Sequence, residues 1–315
     1  VAKTFTEAAL KLGKPVITAN KALLAKHGAE LFELARQHST EIYFEASVGG
    51  GIPIIRAVRE GLVANRIDWM YGILNGTCNY VITRMEEEEL PFAEVLADAQ
   101  ALGLAEADPS LDIDGHDTAH KAALLASLAY GVHVPLDQVS VSGIRDLSIM
   151  DIRNARDLGY KLKLLAVIRR INTSIEVSVH PALLPKGHIL ANVSGVFNAI
   201  MVHGDMTGDT LYYGKGAGRQ PTASAVLADI CDVMKNLHSG NPRQFRGPGP
   251  VSKQELTLAN PGDISTRHYI RVALMDRPNA LSHIAASLGR HDISIASLVQ
   301  KESQMDDFVW VVIVT

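Results

Sequence analysis

The sequence predicts a chain of mixed α/β and α+β class, on three observations. A strand–helix–strand step with short links opens it, helices give way to strands across its middle, and a Gly- and Pro-rich stretch precedes a final β-α-β-β run. At 315 residues it is too long for one ordinary core, so two or three domains are expected. Hydrophobic residues make up 47% and charged residues 20%, the balance of a soluble globular protein.

The first elements follow from periodicity. Thr4 to Leu12 reads as a short helix stopped at Gly13, and Val16-Ile17-Thr18-Ala19 as a short buried strand. Ala22 to His38 repeats Leu23, Leu24, Leu31, Leu34 and Ala35 at helical spacing, and Glu41 to Glu45 reads as the next strand. This is one βαβ step of a parallel sheet, and a free-standing doubly wound domain needs more strands than this. The chain therefore reads as beginning inside a Rossmann-type domain.

From Ser47 to about Tyr213 the pattern is α+β with a mostly antiparallel sheet. Helices are expected over Pro53–Glu60, Cys78–Glu88, Phe92–Ala101 and Asp114–Tyr130. Strands are expected over Leu158–Arg170, Ile175–His180, Val196–Gly204 and Thr210–Tyr213. Pro221–Leu237 is a further amphipathic helix, and Ser239–Pro261 has the composition of a linker. Tyr269–Met275, Asn279–Arg290, Ile293–Val299 and Phe308–Val314 then give strand, helix, strand, strand, three-quarters of a ferredoxin-like unit. The expected divisions are 1–46, 47–213, 214–238, 239–266 and 267–315.

Composition excludes several classes of function. A net charge of −4 argues against a nucleic-acid groove or a basic membrane face. No apolar run reaches the roughly 18–20 residues of a membrane span. Val1-Ala2-Lys3-Thr4 has neither a signal-peptide pattern nor an initiator Met, so it need not be the true start. Two cysteines, Cys78 and Cys231, make no disulfide framework and no multi-Cys zinc site, and fit a reducing, cytoplasmic setting. The histidines lack the HExxH spacing, so no catalytic zinc is expected.

Polar clusters fall at turn–helix junctions. Glu45-Ala46-Ser47-Val48-Gly49-Gly50-Gly51-Ile52-Pro53 leaves a strand through three glycines, either a tight turn or a loop whose backbone holds a ligand or cation. Asn75-Gly76-Thr77 opens a helix, whose free amides attract an anion or are simply capped by Asn75 or Thr77. Cys78 there is either a buried thiol or a nucleophile lowered by the helix end. The densest signal is Leu102 to Lys121, with five carboxylates in sixteen positions from Glu106 onward. Asp117 and Lys121 are four apart and share a helix face, and the apolar run Ala122–Ala126 buries that helix. A lysine at the mouth of a buried helix beside carboxylates is a candidate for proton transfer. Tyr213-Gly214-Lys215-Gly216-Ala217-Gly218 is a Gly-rich loop before a helix, and Asn20-Lys21 closes a parallel strand, where ligand crevices lie.

Taken together and in this order, Ile17–Lys21, Glu45–Pro53, Gly72–Thr77, Gly103–Lys121 and Gly214–Ala225 resemble homoserine dehydrogenases. The tail from about Arg267 resembles an ACT domain, an amino-acid-sensing module, with Asp276 to Leu281 matching its effector loop. The resemblance implies NAD(P)-linked interconversion of L-homoserine and L-aspartate 4-semialdehyde, in threonine, methionine and isoleucine biosynthesis. It implies Lys121 as proton donor or acceptor, oriented by Asp117, with Lys21 paired beside the reacting oxygen and near the cofactor. Glu106 and Asp112 would hold the substrate ammonium, and Gly76 and Thr77 its carboxylate. Gly103, Glu106 and Gly218 would lie near the nicotinamide. Glu45, Val48, Gly50 and Ile52 match a monovalent-cation (Na+ or K+) site built largely of carbonyls. Asp276, Asn279, Ala280 and Leu281 match an effector site for threonine, as feedback inhibitor. Two neighbouring lysines disfavour each other's protonation, which suits one of them to act as base.

Such enzymes begin with a Gly-rich dinucleotide fingerprint, and no GxGxxG precedes Lys21 here. Both ends are therefore expected to be cut short, and a chain truly starting at Val1 is expected to bind NAD(P) very weakly and to show little or no turnover. A homodimer or homotetramer is expected, since both sheets offer pairing surfaces. Two other readings stand beside this one: a semialdehyde dehydrogenase using Cys78 as nucleophile, and an amino-acid-sensing fragment without turnover.

Overall fold

The computed structural model describes residues 1–238, 256–301 and 308–315. It opens with α1 (Ala2–Lys11), β1 (Val16–Ile17), α2 (Lys21–Gln37) and β2 (Ile42–Tyr43). β1 and β2 pair in parallel with α2 crossing between them, the expected βαβ step. Asn20 starts α2 by accepting a hydrogen bond from the Leu23 amide at 3.0 Å. Leu24, Leu31, Phe32 and Ala35 form its buried stripe, as the spacing requires.

The expected helix over Pro53–Glu60 is instead α3 (Ile54–Arg56) running into one π turn over Ala57–Gly61. The Leu62 amide bonds back to the Ala57 carbonyl at 2.8 Å, the five-residue step that widens the turn. β3 (Ile67–Ile73) follows, a strand the sequence reading lacks. It is nevertheless central, with antiparallel neighbours on both sides. α4 (Gly76–Glu88) and α5 (Phe92–Ala101) come next. The helix expected from Asp114 begins instead at His116 as α7 (His116–Tyr130), and a one-turn helix α6 (Ser110–Ile113) precedes it. Gly115 separates them at φ +87°, a left-handed conformation that breaks the helix.

β4 (Ser140–Val141) leads to α8 (Ile149–Asp157), also absent from the sequence reading. Ser148 and Asp151 form a reciprocal capping box at its start. Four long strands then build the sheet: β5 (Tyr160–Ile171), β6 (Ser174–Pro185), β7 (Phe197–Gly204) and β8 (Gly208–Lys215). β6 runs past the expected His180 into Pro181 and beyond, tolerated because β4 covers only Ser178 and Val179 on that side. α9 (Arg219–His238) returns to pack against β1 and the Glu45–Ser47 turn.

Of the expected linker over 239–266, residues 239–255 lie outside the described ones. The remainder is not featureless: β9 (Thr257–Leu258) pairs in parallel with β6. The middle sheet has the order β4-β6-β5-β3-β7-β8 with β9 beside β6. α4, α7 and α8 cover one face and enclose the main core. The other face carries a smaller cluster around Ile73, Leu165 and Ala199, and a stacked row of Tyr71, Trp69 and His203.

β10 (Tyr269–Met275), α10 (Ala280–Arg290), β11 (Ser297–Lys301) and β12 (Phe308–Val314) close the chain. Their sheet order is β10-β12-β11, antiparallel throughout, as a β-α-β-β ferredoxin-like unit requires. β11 starts at Ser297, four residues later than the sequence suggests.

Candidate active site

Three helix starts converge. Lys21 is the first residue of α2, just past the carboxyl end of β1. Asn75 caps α4, immediately after β3. Asp117 and Lys121 are one turn apart at the start of α7, on its buried face. Asp117, only 3% exposed, joins them. Its Oδ1 lies 2.7 Å from the Lys21 ammonium and its Oδ2 lies 2.7 Å from the Lys121 ammonium. Lys121 also donates to the Leu74 carbonyl at 2.6 Å. The bland reading of the Asp117–Lys121 spacing, a solvated surface pair, is excluded by this burial.

The electrostatics follow from the contacts. Burial alone would push the Asp117 carboxyl up, but Lys121 and then Lys21 outweigh it and hold it well below the usual carboxylate range. The lysine pair is thus not two bare like charges. A carboxylate stands between them and offsets their repulsion.

Asn75 extends the cluster. Its Nδ2 donates to Asp112 Oδ1 at 2.7 Å and to Asp117 Oδ2 at 3.0 Å, and its Oδ1 accepts from the Cys78 amide at 2.8 Å. Sequence reasoning sees Asn75 only as a cap, and the Leu74 carbonyl carries no sequence signal at all. Gly76 packs on the Val196 carbonyl, where an added Cβ would stand 2.7 Å away. Thr77 Oγ1 donates to the Leu104 carbonyl at 2.8 Å, tying α4 to the loop that carries Gly103 and Glu106. Gly103 is exposed at φ +70° with open space before it. Glu106 is exposed, and its carboxylate makes no hydrogen bond or ion pair among the described residues. The structure therefore brings Lys21, Asp112, Asp117 and Lys121 together with Asn75, and leaves Glu106 outside that network.

Cys78 is fully buried, its Sγ donating to the Asp112 carbonyl at 3.2 Å. Burial pushes its thiol up, and the nearby Asp112 adds to that. Both effects disfavour the thiolate a nucleophile needs. His116 and His120 stand four residues apart on α7. Even so, among the described residues no group of three or more His, Cys, Asp or Glu is placed to hold a metal.

The glycine loop packs against the second Gly-rich loop. At Gly50, φ +55°, a Cβ would lie 2.4 Å from the Gly216 carbonyl, so only glycine allows the approach. Gly218, φ +117°, immediately precedes α9. Glu45 accepts from the Ile55 and Arg56 amides at 2.9 Å each, capping α3 from below. Burial raises its carboxyl to about 7, against those two bonds, with Asp229 adding to the rise. A raised carboxyl stabilises the fold fully below its unfolded value, and that stability is lost as pH rises through the folded value. Stability is expected to fall between roughly pH 5 and pH 8, by on the order of 3 kcal/mol or less, and the thermal midpoint with it. Circular dichroism melts across that window should show this slope in the parent and a flatter one in Glu45→Gln. Equal slopes in both would assign the pH dependence elsewhere.

In the C-terminal unit, Asp276, Asn279, Ala280 and Leu281 line a cleft of about 190 Å³ with Gln300 and Val309. This unit is tied to the middle domain at Asp151, which accepts from Tyr269 Oη at 2.9 Å and lies 2.8 Å from Arg271 Nε.

The family model described as "Homoserine dehydrogenase" matches residues 53–231, and "Homoserine dehydrogenase, NAD binding domain" matches residues 1–45. The chain is 45% identical over 303 residues to the homoserine dehydrogenase of Pseudomonas aeruginosa, covering 95% of this chain and 69% of that protein. It superposes on the homoserine dehydrogenase of Thiobacillus denitrificans with a TM-score of 0.93 at 42% identity, covering 99% of this chain and 72% of that one. A hyperthermophilic archaeal homoserine dehydrogenase in complex with NADPH gives a TM-score of 0.66 at 30% identity, over 77% of this chain and 70% of that one.

A parallel βαβ unit that carries the match to an NAD-binding domain, closing on an α+β domain at a lysine–carboxylate site, defines an NAD(P)-dependent oxidoreductase. Backbone open to such a cofactor is present: Gly103 and Gly218 are both exposed at positive φ, with no side chain to cover it. The chain belongs to the homoserine dehydrogenase family.

Proposed function

We propose that this chain interconverts L-homoserine and L-aspartate 4-semialdehyde with Lys121 moving the hydroxyl proton. The observation that carries this is the single buried carboxylate of Asp117 in contact with both lysines. When bound, NAD(P) supplies the hydride acceptor. The chain's own residues do the rest. Lys121 takes the proton as the alcohol is oxidised and returns it in the reverse direction. Lys21, with its side chain 35% exposed, faces the same oxygen and the cofactor. Asp112 and Glu106 hold the substrate ammonium, and Gly76 and Thr77 receive its carboxylate at the start of α4. Gly103, Glu106 and Gly218 line the nicotinamide side. Homoserine oxidation, followed as NAD(P)H absorbance, is expected to survive Cys78→Ala and to be lost in Lys121→Met. The opposite pattern would move the chemistry to the thiol.

The same reading divides the chain into a nucleotide-binding part (1–46), a catalytic and dimerisation domain (47–213), a returning loop and helix (214–238), a linker (239–266) and an ACT-like unit (267–315). It gives the loop of Glu45, Val48, Gly50 and Ile52 to a Na+ or K+ ion held mainly by carbonyls, since the Glu45 carboxylate is committed to α3. It makes the protein a cytoplasmic homodimer or homotetramer, paired through the half-covered sheet face around Tyr71 and Trp69. Among the described residues no helix is long and apolar enough to cross a membrane. It places the reaction in threonine, methionine and isoleucine biosynthesis, with threonine as feedback inhibitor at Asp276, Asn279, Ala280 and Leu281. The cleft these four line supports that role. Threonine titrated into the protein in a calorimeter is expected to give a saturable heat that Asp276→Ala removes. No heat in the parent protein would leave the cleft without this ligand.

A further inference from the structure

We infer that Asn75 is a positioning residue that holds Asp112 and Asp117 in register for the reaction, beyond its service as a helix cap. The inference rests on the site proposed above. Asn75 is 5% exposed, and all three hydrogen-bonding positions of its side chain are used. A cap alone asks for one acceptor, which Ser, Thr or Asp provides equally well. The two Nδ2 donors do something a cap does not need. They join an acid on α6 to an acid on α7, each of which would otherwise repel the other.

The geometry at Asp117 shows what this fixes. Its Oδ2 receives both Lys121 and Asn75, and its Oδ1 receives Lys21. Asn75 therefore sets the rotation of the carboxylate so that each oxygen addresses one lysine. At Asp112 the amide takes Oδ1 and leaves Oδ2 for a ligand ammonium. The Asn75 Oδ1 bond to the Cys78 amide fixes the first turn of α4, where Gly76 and Thr77 lie. One amide thus ties together the groups that meet the ammonium, the carboxylate and the hydroxyl proton of a small amino-acid alcohol. No other uncharged side chain of this length combines one acceptor with two donors.

Steady-state homoserine oxidation of Asn75→Ser and Asn75→Asp, with unfolding midpoints, tests this. Both variants keep an acceptor for the cap: Asn75→Ser is expected to unfold within a few degrees of the parent, and Asn75→Asp lower, because its carboxylate faces Asp112 and Asp117. Asn75→Ser is expected to lower kcat/KM by at least about tenfold through both a higher KM and a lower kcat, with the pH profile unmoved. Asn75→Asp adds a third carboxylate among Asp112 on α6, Asp117, His120 and Lys121 on α7, Lys21 on α2 and Cys78 on α4. Its negative charge holds the lysine protons more tightly, so the acidic limb of kcat/KM is expected to move up by about one pH unit. A residue that only caps would leave the KM and kcat of Asn75→Ser unmoved. Kinetics within about twofold of the parent in both variants, with an unmoved limb, overturn the inference. Should Asn75→Asp fail to fold, the KM and kcat of Asn75→Ser still decide. Lys121→Met in the same assay separates the two levels. If it keeps turnover, the proposed site is wrong; if it loses turnover while both Asn75 variants match the parent, only the role of Asn75 is wrong.

Discussion

Lys121→Met is expected to lower homoserine oxidation by about a thousandfold or more while the protein stays folded and still binds substrate. Methionine matches the length and apolar stem of lysine and fits the same channel beside Leu74. What it removes is the group able to carry a proton. The buried site offers few substitutes: Asp117 is held ionised by its two lysines, so it is a poor proton carrier near neutral pH. The loss should therefore fall on kcat in both directions and leave KM nearly unchanged. In Lys121→Ala, which does vacate the space, small primary amines added to the assay should restore part of the rate, since they return a base there. NAD(P)H absorbance in both directions measures all of this. A variant retaining more than about a tenth of parental kcat would place proton transfer on another group, with Lys21 the first candidate.

Much of this site is legible in the sequence because its pieces are local. The four-residue step from Asp117 to Lys121 puts both on one helix face, and Ala122–Ala126 shows that the face is buried. Lys21 is readable from its place after a short apolar strand. Long-range features are harder to read. Asn75 serves α6 and α7 from the start of α4, and no local spacing announces a bond across 42 residues. β3 escapes because Asp68 and Gly72 interrupt its apolar residues and both its edges are paired, so neither alternation nor a continuous run appears. α8 escapes because Asp151, Arg153, Arg156 and Asp157 make it look like loop, while its Ser148–Asp151 capping box was the available signal. Glu106 is legible only through the resemblance: its carboxylate is exposed and makes no hydrogen bond or ion pair among the described residues, so no local contact marks it.

Asp117→Asn is expected to cost about 3 kcal/mol of stability near neutral pH and to lower turnover by about a hundredfold. The asparagine keeps the shape and one hydrogen-bond acceptor, but it takes the only counter-charge among the described residues from a lysine that is 8% exposed. A buried ammonium facing just the Leu74 carbonyl and an amide oxygen must either shed its proton or admit water. The sign of the pH dependence follows from the depressed carboxyl of Asp117. Its stabilisation is full above the unfolded carboxylate value of about 4 and is lost only as pH falls through the lower folded value. The stability gap between parent and variant should therefore be constant from about pH 7 to about pH 5 and close below about pH 4. Urea unfolding at each pH measures that gap directly. A gap absent at neutrality would mean that Lys121 and Lys21 are not held by this carboxylate, and a gap that widens in acid would mean that the group is protonated when the enzyme works. Only a carboxylate that keeps its charge throughout the working range can leave the lysines, rather than itself, to exchange the substrate proton.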